Sequence, residues 1–363
     1  MRNLIAGCTL LAGLAWTSLA LPCGGGFGMG IAINPDQTIV VSHKNGIETY
    51  QFSPHFCGSA AQFGLILPVP GMLSGDPVLG DPKAASEFEA YTKPSEETNE
   101  ICMSGDGAMG GAAPGGGPGT RGPIDDGVNV VSKGQVGMFT WQLLKADTAA
   151  AFTDWLDANK FPYSPYAKAE FDYYVTQSWY FVAFTVTADA QAPTSGAKIC
   201  GDLGPLKVSF PTATAVIPSR IANATSPGST SYFNWRIFFV GSQPMTPAGT
   251  SQGTSYASSG GQMFFKGIVS DADLGAHPAM ASMAASGDWV TWFDYRFRPG
   301  ELSSDLAIDQ PQAASPYRHH IVHTVEKDCS GLCSFRRTRN PAAIGLAAAG
   351  LIALLALARR RKG

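Results

Sequence analysis

The sequence predicts an α+β protein, a mainly antiparallel β-sheet with an inserted helix pair, plus one C-terminal transmembrane helix. Three observations carry this. Asn45-Gly46 separates two β-rich runs, the strongest short hairpin signal. Short aromatic and β-branched runs recur along the chain between Pro/Gly/Ser/Thr loops. Two stretches between 147 and 175 instead place apolar residues at helical spacing behind capping residues.

Taken in order, residues 1–20 read as a secretory signal. Arg2 is the positive start, 4–16 the apolar core, and Ser18-Leu19-Ala20 the small-x-small cleavage site. A lipidation box at Ile5-Ala6-Gly7-Cys8 leaves no room for an apolar core ahead of it, and Pro22 before Cys23 fits such a box poorly. Residues 21–103 form the first part of the exported domain. Runs 38–44 and 47–52 make the hairpin, because a type I′ turn needs positive φ at both central residues, which Asn and Gly tolerate. The apolar run 62–71, QFGLILPVPG, is expected as the third strand of the same antiparallel meander, with Pro68 and Pro70 ending its pairing at the sheet edge. Residues 82–91 read as a short helix, with Asp81 as N-cap and Pro82 in its first turn, stopped by Pro94.

Residues 104–126 are a Gly-rich flexible loop that has nothing to bury. The remainder of the α+β domain spans 127–328. It opens with a strand at 136–144. Asp147 is expected to cap a helix through Asn159 bearing Phe152, Trp155 and Leu156 on one face. Ser164-Pro165 opens the second helix, with Phe171, Tyr174 and Val175. Strands are expected at 179–187, 206–210, 215–221, 232–240, 263–269 and 289–297.

Residues 329–340 are a juxtamembrane segment. Residues 341–358 are an uncharged Ala/Leu/Gly/Ile run long enough to span a bilayer as a short helix, and 359–363 a basic tail whose Arg359-Arg360-Arg361-Lys362 stays cytoplasmic. The expected partner is therefore the membrane, through this helix. The tail also resembles a tripartite sorting signal of the MYXO-CTERM type, with Cys329-Ser330-Gly331-Leu332-Cys333, a short apolar helix and an arginine cluster. That resemblance implies cleavage of the tail and transfer of the body to the cell surface.

Composition agrees with this address. Apolar residues make up 45% and charged ones only 15%, with 42 glycines and 25 prolines, which suits a loop-rich exported β protein. Arg2 and seven tail residues account for eight of the 25 basic residues, so 17 basic residues face 28 acidic ones between the ends, a net of −11. An acidic body repels phosphate backbones, so no nucleic acid is expected as a partner. Beyond Cys8, six cysteines remain: Cys23, Cys57, Cys102, Cys200, Cys329 and Cys333. An even number in an oxidising compartment argues for disulfides over a metal, and six allow 15 connectivities.

Several short motifs in order resemble a family. They are Cys23-Gly24-Gly25 after the leader, Leu67-Pro68-Val69-Pro70 and the helix 149–160. The second helix follows, then Trp179-Tyr180-Phe181-Val182-Ala183 and Pro205-Leu206-Lys207-Val208-Ser209-Phe210-Pro211. Over about 23–240 they are similar to the bacterial domain-of-unknown-function 2330 family, which implies a shared fold and an exported location but no activity.

No catalytic, cofactor or metal residue is expected. Gly249-Thr250-Ser251-Gln252-Gly253 has the G-x-S-x-G spelling, but its flanks are loop-forming, whereas a nucleophile elbow needs a strand before and a helix after. Ser195-Gly196-Ala197-Lys198 spells S-x-x-K in a turn. On a strand His319 and His323 share a face and His320 points away; Asp305 or Asp309 could complete a metal site only through folding, so a solvated juxtamembrane segment is the favoured reading. Gly24 to Gly30 lacks the strand a dinucleotide loop needs. Asp125-Asp126-Gly127 and Asp271-Ala272-Asp273 lack the later glutamate of a calcium loop. Trp179, Tyr180, Trp235, Trp289, Trp292 and Tyr295 suit sheet cores, and an exposed subset could meet a protein or glycan partner. The expected function is thus a membrane-anchored extracytoplasmic binding or envelope component; the alternative is an exported hydrolase or metal enzyme using Ser251 or the His319/His323 pair.

Overall fold

A computed structural model describes residues 25–27, 32–33, 36–58, 64–102, 127–161, 163–164, 166–186, 199–224, 232–252 and 259–327. The leader, the 104–126 loop, Ser195 to Lys198, Cys23, Cys329, Cys333 and the 341–358 run lie outside the described residues. Among the described residues no helix is long and apolar enough to cross a membrane. The chain divides into two compact units, Met1–Ser95 with Gly115–His320, and Glu96–Pro114 with Ile321–Gly363. The smaller unit is carried by the paired strands Ser95–Cys102 and His320–Lys327.

The larger unit is α+β. Its largest sheet is mixed, with described strands in the order Ser251–Gln252, Gly260–Ile268, Trp289–Phe297, Phe233–Gly241, Asp36–Lys44, Ile47–Phe52, Leu206–Pro211 and Val78–Leu79. Only two of those neighbours run parallel: 36–44 against 233–241, and 251–252 against 260–268. A second sheet orders Gly25–Phe27, Gly64–Val69, Tyr180–Val186, Phe139–Ala146 and Val128–Val136, all antiparallel. The two sheets face each other across one core. Ile39, Val41, Tyr50, Phe52, Val208 and Trp235 come from the first, and Leu65, Leu67, Val69, Trp141, Leu143, Val182 and Phe184 from the second.

Each sheet's other face is covered by helices. Helix α1 (Ala84–Thr92) packs Phe88 beside Val40, Phe238 and Trp292 of the large sheet. Helices α2 (Ala149–Ala158) and α3 (Ala167–Thr176) cover the five-stranded sheet, stacking Phe152 on Phe181 at 4.1 Å between centroids. Helix α4 (Asp271–Ala276) leads to a 3-10 turn at 278–282 whose Met280 joins the α1 side. The result is a helix–sheet–sheet–helix stack. A sheet buried on both faces reads as continuous apolar sequence, which is why 64–69 and 180–186 show no alternation.

The Asn45-Gly46 hairpin forms as expected, with φ of 52° and 72° and Lys44 opposite Ile47. The 62–71 run does not join that meander. Its strand Gly64–Val69 lies in the other sheet, between 25–27 and 180–186. A strand beside the hairpin with one open face would alternate, whereas all six of its residues are buried. Pro68 is also not an edge stop: it stays in register with Phe181. It is tolerated because 25–27 pairs only with Gly64 to Ile66, so Pro68 has one described neighbour.

Several boundaries differ from the sequence reading; α1, for one, starts at Ala84 with Lys83 rather than Asp81 at its N-cap. The 136–144 segment is two strands joined at Gly137 (φ 54°), with Val136 opposite Phe139. The α2 cap is Thr148, not Asp147: the Thr148 hydroxyl accepts from Ala151 N–H at 3.1 Å. The 215–221 run ends as a strand at Ile217, since Pro218 cannot donate to a ladder, and 220–224 becomes a 3-10 turn.

Candidate functional site

The hairpin that the sequence foretells also builds the most chemically distinctive place in the described residues. Alternation along its strands puts Ile39, Val41 and His43 on one face, with Glu48, Tyr50 and Phe52 opposite them. Five of those side chains are fully or half buried apolar or aromatic groups or the half-buried His43; the sixth, Glu48, is a carboxyl with no exposure at all. Its Oε2 accepts from Val216 N–H at 2.9 Å, and its Oε1 has no hydrogen-bond partner among the described residues. Burial pushes its pKa well above the ordinary carboxylate range, against the pull of the Val216 N–H. Burial therefore favours the protonated form of Glu48.

Its neighbours line a cleft of about 270 Å³. His43, the register partner of Glu48, forms one wall; Thr214 and Ala215, just ahead of its donor Val216, form another. Phe239, Met245 and Ile308 supply apolar surface, and Gln243 and Asp309 supply polar rim. The strands Ala215–Ile217, Leu306–Pro311 and Met245–Pro247, paired in one small sheet, hold these residues together. His43 Nε2 lies 2.9 Å from Thr212 O, which orients the ring and leaves Nδ1 as the acceptor when Nε2 carries the proton. The combination of apolar wall and a few fixed polar groups is the ordinary make-up of a small-ligand pocket.

A second polar cluster ties α3 to the 220–224 turn. Tyr174 donates to Asp305 Oδ1 at 2.7 Å, Arg220 N–H donates to the same oxygen at 2.9 Å, and Ile221 N–H donates to Tyr174 Oη at 3.1 Å. Arg220 Nε donates to Glu170 at 2.7 Å, and its guanidinium lies 4.0 Å from the Tyr173 ring centroid. These bonds run between separate elements of the fold, so the cluster acts as a clasp, while Asp305 Oδ2 is buried with no hydrogen-bond partner among the described residues.

The residues singled out from sequence do not meet. Ser251 is exposed in a two-residue strand pairing in parallel with 260–268, and the next described element is that strand rather than a helix. His319 is buried rather than solvated, with its ring 5.4 Å from that of Phe264 and its Nδ1 3.4 Å from the Tyr317 hydroxyl. His320 Nδ1 lies 3.0 Å from the Ser95 hydroxyl, and in the smaller unit His323 lies 3.6 Å from Glu96. Asp305 belongs to the clasp and Asp309 to the cleft. Asp271 and Asp273 open α4, where Ser270 and Asp273 form a reciprocal capping box. Among the described residues no cluster of three or more His, Cys, Asp or Glu could hold a metal ion. Trp235 is a core residue, as expected of the sheet aromatics.

Sequence reading missed Glu48 and His43. The signal was there: with Asn45-Gly46 fixing the register, a glutamate falls on the face that Tyr50 and Phe52 mark as buried.

No curated protein and no solved structure matches the chain. One family does, over residues 19–309, beyond both ends of the 23–240 stretch that the motifs delimit. By that match over most of its length, the chain belongs to the family described as an uncharacterized protein conserved in bacteria, DUF2330.

Proposed function

We propose that this protein is an exported, membrane-anchored binding component of the bacterial envelope, taking a small polar ligand in the His43 cleft. Support for the address comes from the two ends of the sequence: the 1–20 leader, and the 341–358 apolar run followed by four cations. The body then faces the periplasm, or the cell surface if the MYXO-CTERM-like tail is cut.

The observation that carries the binding reading is how the cleft's groups are engaged. His43 in the wall is bonded to Thr212 O, and Glu48, its register partner outside the lining, to Val216 N–H, both backbone partners. These contacts fix walls and do not activate a nucleophile. The hydrolase and metal-enzyme reading finds no support in the separate placements of Ser251, His319 and His323.

A thermal-shift screen of the purified body against monosaccharides and amino acids tests the ligand claim. A true ligand at 100 times its Kd stabilises by about 2.7 kcal/mol, and His43→Ala or Asp309→Ala removes the shift. A flat response to every compound sinks the claim. Membrane fractionation and the mass of the mature C-terminus test the anchor: an intact Gly363 in the surface form rules tail cleavage out.

A further inference from the structure

We propose that Cys57 and Cys200 form a disulfide across the three-stranded sheet of Ile199–Asp202, His55–Gly58 and Ala32–Ile33. The argument rests on backbone register. Cys200 stands directly opposite Cys57 in an antiparallel ladder, with Ile199 opposite Gly58 and Gly201 opposite Phe56. Directly opposed residues in such a ladder have Cα atoms about 4.5–5.5 Å apart, inside the roughly 4.4–6.8 Å window that a disulfide spans.

The cysteine ladder follows a buried ladder of the same two chain segments. The same two chain segments pair from Ile47 opposite Pro211 to Phe52 opposite Leu206, in the core between the sheets. Pairing then continues through Leu203 N–H to Pro54 O at 3.0 Å and on to Asp202 opposite His55. Gly204, at φ 85°, absorbs the one-residue offset between the two stretches. Carried on without that offset, the core register would set Cys200 opposite Gly58, so the extra residue at Gly204 is what brings the two cysteines into opposition. On its other side Cys57 stands opposite Ala32, and a pair of cysteines falls short of the four ligands of a structural zinc site.

The chemistry is two thiol–disulfide exchanges. One cysteine thiolate attacks a disulfide oxidant, a protein or glutathione-type disulfide, and releases one thiol. The other thiolate then attacks the mixed disulfide, forming the Cys57–Cys200 bond and releasing the second thiol. Two electrons and two protons pass from the pair to the oxidant. Because such bonds persist only in an oxidising compartment, the bond in the cell rests on the proposed export, whereas the register does not.

The bond closes a loop that contains the whole Gly-rich insertion, the 64–69 strand of the five-stranded sheet and the helix pair. It also leaves Cys23, Cys102, Cys329 and Cys333, for which three connectivities remain.

The test maps disulfides in the full chain by mass spectrometry of a non-reduced digest, in two preparations. One is the chain isolated from cell envelopes. The other is chain reduced and then reoxidised with glutathione disulfide. The expected result in both is a linked pair of peptides carrying Cys57 and Cys200, lost on reduction. Reduction is also expected to lower the thermal midpoint by on the order of 10 °C. Either cysteine found alkylatable, or joined to a different cysteine, in the reoxidised chain overturns the proposal. A link that forms on reoxidation but is missing from leader-free envelope protein overturns it for the cell, and a link on reoxidation with the leader retained overturns the export reading instead.

Discussion

The Tyr174 hydroxyl donates to Asp305 Oδ1 at 2.7 Å, joining α3 to the segment that enters the Leu306–Pro311 strand. Burial pushes the Asp305 carboxyl up to about 6, against the Tyr174 hydroxyl, the Arg220 N–H and the Arg220 charge, which all pull it down. The folded state therefore holds this proton more tightly than the unfolded chain, where the group titrates near 3.9. Its stabilising share is complete below about pH 4 and lost as pH rises through about 6, a change of about 3 kcal/mol. Asp305→Asn is expected to flatten the profile across that window when urea midpoints are compared with the parent. Parallel profiles would refute the assignment. Tyr174→Phe removes one of the two donors to Asp305 Oδ1 and strands Ile221 N–H, and is expected to cost about 2–3 kcal/mol.

Glu48 titrates in the same sense. With its pKa raised by burial, its stabilising share is lost as pH climbs through the folded value. Glu48→Gln keeps the shape and an oxygen for Val216 N–H, so at acid pH the cost is about 1 kcal/mol or less. The variant then gains on the parent as pH rises. Denaturation at three pH values reads this directly, and a constant difference between the two proteins contradicts a raised Glu48 pKa.

At the start of α2, Thr148→Ala is expected to cost about 1 kcal/mol, because it removes the acceptor for Ala151 N–H. Asp147→Ala is expected to stay within about 0.5 kcal/mol. Equal losses in the two variants would return the cap to Asp147.

Gly71 follows the 64–69 strand at a close approach: a Cβ there would sit 2.6 Å from Pro211 O, a backbone atom that cannot swing away. Gly71→Ala is expected to lose about 1–3 kcal/mol. Gly75→Ala, which meets nothing within 4 Å, serves as the control and is expected to be near neutral. A similar loss at both positions would show that the close approach at Gly71 is not the cause.

Local physics made much of this protein legible from its residues. The positive φ demanded at Asn45 and Gly46 foretold the hairpin, and the spacing of Phe152, Leu156, Phe171 and Tyr174 foretold the helix pair. The mainly β character followed from runs such as 180–186 and 289–297, and the family from motifs in order. What stayed hidden depends on pairing between distant segments. Continuous burial in 64–69 says that both faces are covered, but not that its partner is 180–186 rather than 47–52. Six cysteines carry no connectivity; only the ladder joining 47–58 to 199–211 puts Cys57 opposite Cys200. The cleft was half legible: alternation marks Glu48 as inward-facing, while Thr214, Met245 and Asp309 reach it through contacts set by the tertiary fold. A turn such as Asn45-Gly46 is decided within a few residues, so the sequence alone determined it. Sheet order and the walls of a cleft are decided by which buried surfaces find each other, and only the tertiary structure settles that.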